Sequence, residues 1–214
     1  MTAAAILISG SGTNLQAFID SVAEGALEVN IAVVVSNRPD AYGLVRARDA
    51  GIATECIRNE DFTDREAFDE ALAQTLDKYN PDLVILAGFM RILTGAFVKH
   101  FEGKILNIHP ALLPKYPGLN THQRVIDAAE EWHGSTVHFV TEELDAGPRI
   151  LQGRVPVLAD DTASLLSARV QAVEHRIYPQ AAALLASGRL EYRDGESWLD
   201  GARLDEPVQF DVEN

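Results

Sequence analysis

The sequence has 214 residues, of which 47% are hydrophobic and 23% charged, and its 32 acidic and 18 basic residues give a formal charge of −14. This composition is ordinary for a globular protein and excludes a disordered or fibrous one. The negative charge disfavours nucleic-acid binding, because a phosphate backbone has the same sign and would need a local basic patch. The single cysteine, Cys56, excludes a disulfide framework and fits a reducing cytosol.

The first residues favour neither export nor membrane insertion. The apolar start at residues 3–8 is short and has no basic lead-in, so we expect neither a signal peptide nor a membrane span. We therefore expect a cytoplasmic protein that binds no membrane. Because no linker or internal repeat interrupts the chain, we also expect a single domain over residues 1–214, a length that suits one domain or slightly more.

Apolar runs and helical spacings alternate through the first half of the chain. Apolar runs predict strands at residues 3–9, 29–36, 53–57 and 83–87. Helical spacing predicts a helix after the first strand, another near residues 44–47, and a third that begins near Thr63 and Glu66, which have the spacing of a capping box. This alternation predicts an α/β fold with a mostly parallel central sheet and helices on both faces.

The second half is less regular. It predicts strands at residues 104–109, 135–141 and 149–157, with Pro156 favouring a sheet edge for the last because proline cannot donate a ladder hydrogen bond. Helices are predicted at residues 121–131 and at residues 163–187, the second interrupted near Pro179. A hairpin around Trp198 and a loose acidic tail over residues 200–214 complete the prediction.

The turn after the first strand is the first candidate site. Gly10 and Gly12 come directly before a helix, whose N-terminal N–H groups could bind a phosphate. The third glycine of the dinucleotide fingerprint is missing, as is the Gly-Lys-Ser/Thr of a nucleotide P-loop, so a nicotinamide or ATP site is disfavoured. Alternatively, the two glycines only form a tight turn between the strand and the helix.

Asn107 and His109 form the second candidate site. Alternation along a strand puts both side chains on one face, where an amide donor beside an imidazole could stabilise an oxyanion and move a proton. Asp145 is the candidate carboxylate that orients the imidazole, although an aspartate is equally natural in its Gly-Pro turn. We expect no metal site, since the histidines lack zinc-protease spacing, and we expect Cys56 to be a packing residue.

Four segments together resemble the phosphoribosylglycinamide formyltransferase family, the folate-dependent enzymes of purine biosynthesis. They are Ile8-Ser-Gly-Ser-Gly-Thr-Asn-Leu-Gln16, Leu86-Ala-Gly-Phe-Met-Arg-Ile-Leu93, Leu106-Asn-Ile-His-Pro110 with Leu112-Leu-Pro-Lys-Tyr-Pro-Gly118, and His138-Phe-Val-Thr-Glu-Glu-Leu-Asp-Ala-Gly147. The resemblance continues to about Leu199 and implies a Rossmann-like formyltransferase fold. The family pattern also leads us to expect a histidine where Asn120 stands, which leaves the role of that position open.

The resemblance implies a role for each matching residue. Asn107, His109 and Asp145 would be the catalytic residues. The ribonucleotide would be bound by Gly12, Thr13, Asn14 and Glu174. The folate would be bound by Arg65, Met90, Arg91, Ile92, Leu93, Asn107, Val140 and Thr141.

The resemblance also implies the reaction. The amine of glycinamide ribonucleotide would attack the formyl carbon of 10-formyltetrahydrofolate, the co-substrate, with no metal required. Asn107 would donate to the oxyanion, His109 would help as a cation favoured by the opposite charge of Asp145, and a water held by Asp145 could carry the proton. We expect only small-molecule partners and a monomer or homodimer.

Three alternatives share parts of this pattern. Methionyl-tRNA formyltransferase has a similar Asn-x-His-Pro segment but also a tRNA-binding domain, which the charge of −14 and the acidic end disfavour. Formyltetrahydrofolate deformylase transfers the formyl group to water and has an additional N-terminal domain, which we do not expect here because the sequence opens on its first predicted strand. A phosphoribosyl-ligand sensor without turnover would not need Asn107, His109 and Asp145.

Overall fold

The computed structural model describes residues 1–211, which form eleven strands and six α-helices. The strands are β1 (Thr2–Ile8), β2 (Val29–Ser36), β3 (Thr54–Cys56), β4 (Leu83–Leu86), β5 (Ile105–His109), β6 (Trp132–Phe139), β7 (Arg149–Pro156), β8 (Leu190–Arg193), β9 (Glu196–Leu199), β10 (Ala202–Arg203) and β11 (Val208–Asp211). The helices are α1 (Thr13–Ala23), α2 (Gly43–Asp49), α3 (Arg65–Asp77), α4 (Gly95–His100), α5 (Thr121–Asp127) and α6 (Ala163–Ala186), and a short 3-10 turn spans Asn59–Asp61.

Eight strands form the central sheet in the order β11-β7-β6-β5-β4-β1-β2-β3. Only β6 runs against the others, since it pairs antiparallel with both β5 and β7 while the remaining pairs are parallel. The predicted mostly parallel sheet is therefore confirmed. A second sheet, in the order β10-β9-β8, lies outside it.

Helices cover both faces of the central sheet, as predicted. In β1, Ala4, Ile6 and Ile8 pack into a core with α1, α2 and α6, whereas Ala5 and Leu7 pack into a second core with α3 and α4. Alternate residues thus point to opposite faces, and because both faces are buried the strand reads as an unbroken apolar run.

The structure corrects two predictions about the helices, namely the N-cap of α3 and an interruption of the long helix. The N-cap of α3 is Asp64, whose side chain accepts a hydrogen bond from the N–H of Ala67, and not Thr63 of the predicted capping box. The predicted interruption of the long helix was wrong, since α6 is continuous and contains Pro179. Ile177 and Tyr178 beside this proline are fully buried, so packing against the sheet offsets the one helical hydrogen bond that proline cannot make.

Three further predictions are corrected, two of them at the end of the chain. β7 is not an edge strand, because β11 pairs with it in parallel and lies outside it. Residues 200–211 contain β10 and β11 instead of a loose tail, and residues 212–214 of that predicted tail lie outside the described residues. Cys56 is exposed rather than packed.

Among residues 1–211, none of the helices is both long enough and apolar enough to cross a bilayer.

Candidate active site

The turn between β1 and α1 lies against the start of α2. Gly12 has φ of +70°, and a Cβ built on it would lie 2.6 Å from the Cα of Gly43, so this close approach requires glycine. Arg46 braces the turn by donating from Nε to the carbonyl of Ser11 at 2.9 Å. The glycine thus serves the packing of the turn, and the same turn also lines a cavity.

That cavity, here called the turn cavity, has a volume of about 590 Å³ and lies at the carboxyl ends of β1, β2 and β4. This is the crevice in which open α/β sheets bind ligands. Its lining includes all four residues assigned to the ribonucleotide, namely Gly12, Thr13, Asn14 and Glu174. Arg38 and Gln171, which the sequence did not indicate, also line it.

Glu174 is the buried carboxylate of the turn cavity, with a relative exposure of 7%. Its Oε2 accepts a hydrogen bond from Asn14 Nδ2 at 3.0 Å, and its Oε1 accepts one from Ser135 Oγ, also at 3.0 Å. Burial raises the pKa of Glu174, and the two hydrogen bonds oppose that rise. Asn14 Oδ1 is buried without a protein partner, so the pair presents polar atoms that a ligand could engage.

The three residues predicted to be catalytic come together at the end of β5. Asp145 Oδ2 lies 3.4 Å from His109 Nδ1 and accepts a hydrogen bond from the N–H of Gly118 at 2.9 Å. His109 Nε2 lies 2.9 Å from the carbonyl oxygen of Tyr116. Because a carbonyl only accepts, Nε2 is a nitrogen that carries a proton, while Nδ1 faces the carboxylate of Asp145.

His138 begins the fourth family segment, but the sequence indicated no role for it. It faces Asn107 across the antiparallel β5–β6 pair, with His138 Nε2 3.2 Å from Asn107 Nδ2. Its Nδ1 lies 2.8 Å from the carbonyl of Phe139 and must therefore be the protonated nitrogen. Burial lowers the pKa of His138, which keeps the ring neutral and lets Nε2 accept from the amide. Asn107 then has one N–H left for a ligand.

A second cavity of about 620 Å³, here called the apolar cavity, contains the catalytic residues. Its lining includes every residue assigned to the folate except Arg65: Met90, Arg91, Ile92, Leu93, Asn107, Val140 and Thr141. Four large apolar side chains at its mouth are exposed, namely Met90, Ile92, Leu119 and Leu144. Exposed apolar surface concentrated at one cavity is typical of a ligand site.

Arg91 and Arg65 differ in their placement. Arg91 stacks on the ring of Phe68 with its guanidinium carbon 4.1 Å from the ring centroid, and its buried Nε has no protein partner. Arg65 begins α3 with a half-exposed side chain whose nearest acidic partner is Glu66, and it is outside the linings of both cavities. The structure therefore does not bring Arg65 together with the other predicted folate residues.

The two cavities adjoin. Both are lined by Gly88, Met90, Ile108, Pro110 and His122. His122 Nδ1 lies 3.0 Å from Nε2 of the buried His133, and no signal in the sequence paired them. Asn120 lines the apolar cavity and has φ of +57°, a backbone conformation that asparagine tolerates better than most residues. Within residues 1–211, no three potential metal ligands gather into a binding group.

Comparison with known proteins agrees with this geometry. The profile of the formyl transferase family matches residues 2–182. The chain belongs to this family. Within it, the chain is 53% identical over 199 residues to a phosphoribosylglycinamide formyltransferase of Escherichia coli K12, covering 93% of this chain and 94% of that protein.

Two solved structures resemble this formyl transferase over most of its length. The phosphoribosylglycinamide formyltransferase of Coxiella burnetii, solved with CHES, has a TM-score of 0.94 and 49% identity, and the match covers 98% of this chain and 99% of that one. A glycinamide ribonucleotide transformylase from Symbiobacterium toebii has a TM-score of 0.90 and 48% identity, with 93% and 94% coverage. The predicted formyltransferase fold is confirmed by these neighbours.

Proposed function

We propose that this formyl transferase transfers the formyl group of 10-formyltetrahydrofolate to the amine of glycinamide ribonucleotide in purine biosynthesis. The observation that carries the proposal is the contact between the two cavities beside Asn107, His109 and Asp145. A transferase must bring donor and acceptor together at one set of catalytic groups, and adjoining cavities provide for that. The Escherichia coli and Coxiella burnetii relatives bear the name of this activity.

The turn cavity suits the ribonucleotide. The N–H groups at the start of α1 can bind the phosphate, because a helix N-terminus carries a partial positive charge. Glu174 offers a buried carboxylate to the glycinamide end, and Asn14 adds the unpaired Oδ1 beside it. Local donors thus offset the unfavourable net charge of the chain.

The apolar cavity suits the folate that donates the formyl group. Its exposed Met90 and Ile92 can pack on a flat heterocycle, and the unpaired Nε of Arg91 is a buried donor for one of its polar atoms. Val140 and Thr141 lie on the same lining and are assigned to the pterin end. Arg65 is assigned by resemblance alone, since it is not among the residues that line this cavity.

The chemistry follows from the groups around Asn107. Attack of the amine on the formyl carbon gives a tetrahedral oxyanion, which collapses by expelling the folate nitrogen. The second N–H of Asn107 donates to that oxyanion, a contribution that is typically worth about 10²- to 10³-fold in rate. His109, with both nitrogens facing acceptors, contributes positive charge beside it. Asp145 Oδ1 can hold the water that carries the proton from the amine to the leaving nitrogen.

The proposal includes no metal ion, and its partners are small molecules rather than nucleic acid or membrane. The cytoplasm is the proposed compartment, which a single free cysteine fits.

The test is formyl transfer from 10-formyltetrahydrofolate, followed by absorbance with and without glycinamide ribonucleotide. We expect turnover that depends on the ribonucleotide and that falls by orders of magnitude in His109→Ala. The matched control is His100→Ala, which removes an exposed histidine that pairs with Asp77 on the surface and should leave the rate unchanged. Folate turnover without the ribonucleotide would favour a deformylase, and ligand binding without turnover would favour a sensor.

A further inference from the structure

The loop at residues 110–118 makes two backbone contacts with the catalytic residues. The carbonyl of Tyr116 faces His109 Nε2 at 2.9 Å, and the N–H of Gly118 donates to Asp145 Oδ2 at 2.9 Å. One contact is to the imidazole and the other to the carboxylate of the His109–Asp145 pair. The position of this loop therefore determines the positions of the His109 imidazole and the Asp145 carboxylate.

The upstream part of the same loop is held by the side chains of β6 and β7. Thr136 Oγ1 donates to the carbonyl of Ala111 at 2.7 Å and accepts from the N–H of Leu113 at 3.0 Å. Gln152, which faces Thr136 in the β6–β7 register, donates from Nε2 to the carbonyl of Leu113 at 2.7 Å and to Thr136 Oγ1 at 2.9 Å. Arg149 Nη1 adds a longer bond to Leu113 at 3.0 Å.

Gln152 is buried, and its amide is fully used. Nε2 donates one hydrogen to the carbonyl of Leu113 and the other to Thr136 Oγ1, and Oε1 accepts from Gln209 Nε2 of β11 at 3.2 Å. Because the carbonyl of Leu113 only accepts, the amide cannot be flipped without placing two acceptors together. A buried network in which every group is satisfied holds its members in one arrangement.

We propose that Gln152 is a positioning residue for the transfer reaction, although it lines neither cavity. It fixes the loop at Leu113, and the loop in turn fixes His109 through Tyr116 and Asp145 through Gly118. The inference rests on the proposed function for its kinetic consequence. A displacement of about 1 Å at reacting groups can cost about 10²-fold in rate, which a loosened loop can produce.

The test variant is Gln152→Met, which keeps the length of the side chain and removes the bonds to Leu113 and Thr136. We expect kcat to fall by about 10- to 100-fold, while KM for the ribonucleotide changes by no more than about twofold because Glu174 and Asn14 are untouched. The matched control is Gln209→Ala, which removes a bond of the same network but leaves both hydrogen bonds of Gln152 Nε2, to Leu113 and to Thr136, in place. Its kcat should stay within about twofold of the original chain.

A double-mutant cycle separates positioning from general destabilisation. Because part of the effect of Gln152 acts through His109, Gln152→Met should cost less rate in the His109→Ala background than in the original chain, and the remaining loss acts through Asp145. An equal loss in both backgrounds would overturn the proposal, as would an unchanged kcat in the single variant or an equal loss in Gln209→Ala.

Amide hydrogen exchange supplies a readout that does not depend on turnover. In Gln152→Met, exchange should speed up at residues 111–118 and stay unchanged in α1 and β1. If the original chain shows no turnover that depends on the ribonucleotide, the proposed function fails, and exchange alone then decides the inference. Unchanged exchange at Leu113 and Gly118 would refute it.

Discussion

The buried histidine His133 links the stability of the protein to pH. Its relative exposure is 1%, and burial together with the neighbouring His122 and His109 lowers its pKa from 6.5 to about 4. Between these two values the unfolded chain holds a proton that the folded chain does not, so unfolding takes up a proton and stability falls as the pH falls. Each pKa unit is worth about 1.4 kcal/mol, and the whole window is therefore worth about 3 kcal/mol.

The effect is measurable at about pH 5, before most carboxylates become protonated. There the expected loss from His133 is about 2 kcal/mol relative to about pH 7.5, since about 1.5 of the 2.5 units have been crossed. The comparison variant is His133→Gln, which keeps a polar atom near His122 and cannot take up the proton. Urea unfolding followed by tryptophan fluorescence gives the free energy of unfolding of both proteins at both pH values.

The original chain should lose about 2 kcal/mol more than His133→Gln over this pH interval. The difference between the two proteins removes contributions that they share, among them that of Glu174, whose raised pKa acts in the opposite direction. Equal losses in the two proteins would show that His133 does not stay neutral in the folded state, and the reasoning from its burial would be refuted.

Three further substitutions test the site and the core. Asn107→Ala should lower kcat by about 10²- to 10³-fold, because the oxyanion loses a donor, and a loss confined to KM would remove Asn107 from that role. Glu174→Gln should weaken ribonucleotide binding about 10- to 100-fold, since hydrogen bonds to a charged group are worth about 1.5–3 kcal/mol, and unchanged binding by calorimetry would place the ligand elsewhere. Tyr178→Phe removes a buried hydroxyl whose single hydrogen is shared between the carbonyls of Leu86 and Leu106, and it should cost about 1–2 kcal/mol of unfolding free energy in urea titrations. An unchanged unfolding midpoint would show that those carbonyls do not depend on it.

The local pattern of apolar and polar residues was sufficient to predict the central sheet and the helices that flank it. β1 and β4 are unbroken apolar runs because both faces of these strands are buried. The alternation of such runs with segments of helical spacing predicted the mostly parallel sheet. The same period placed Asn107 and His109 on one side of β5, where both line the apolar cavity. These features depend on neighbours along the chain, so the sequence by itself determined them.

Contacts between distant segments were decided only by the tertiary structure. Asn107 meets His138 through the register of an antiparallel pair, and Gln152 reaches Leu113 across 39 residues. Pro179 lies within a continuous α6, because burial against the sheet outweighs the tendency of proline to break a helix. In the same way, β11 pairs with the edge of β7, although its polar sequence by itself predicted a loose tail. Strand register and packing are properties of the whole sheet, and no local spacing encodes them.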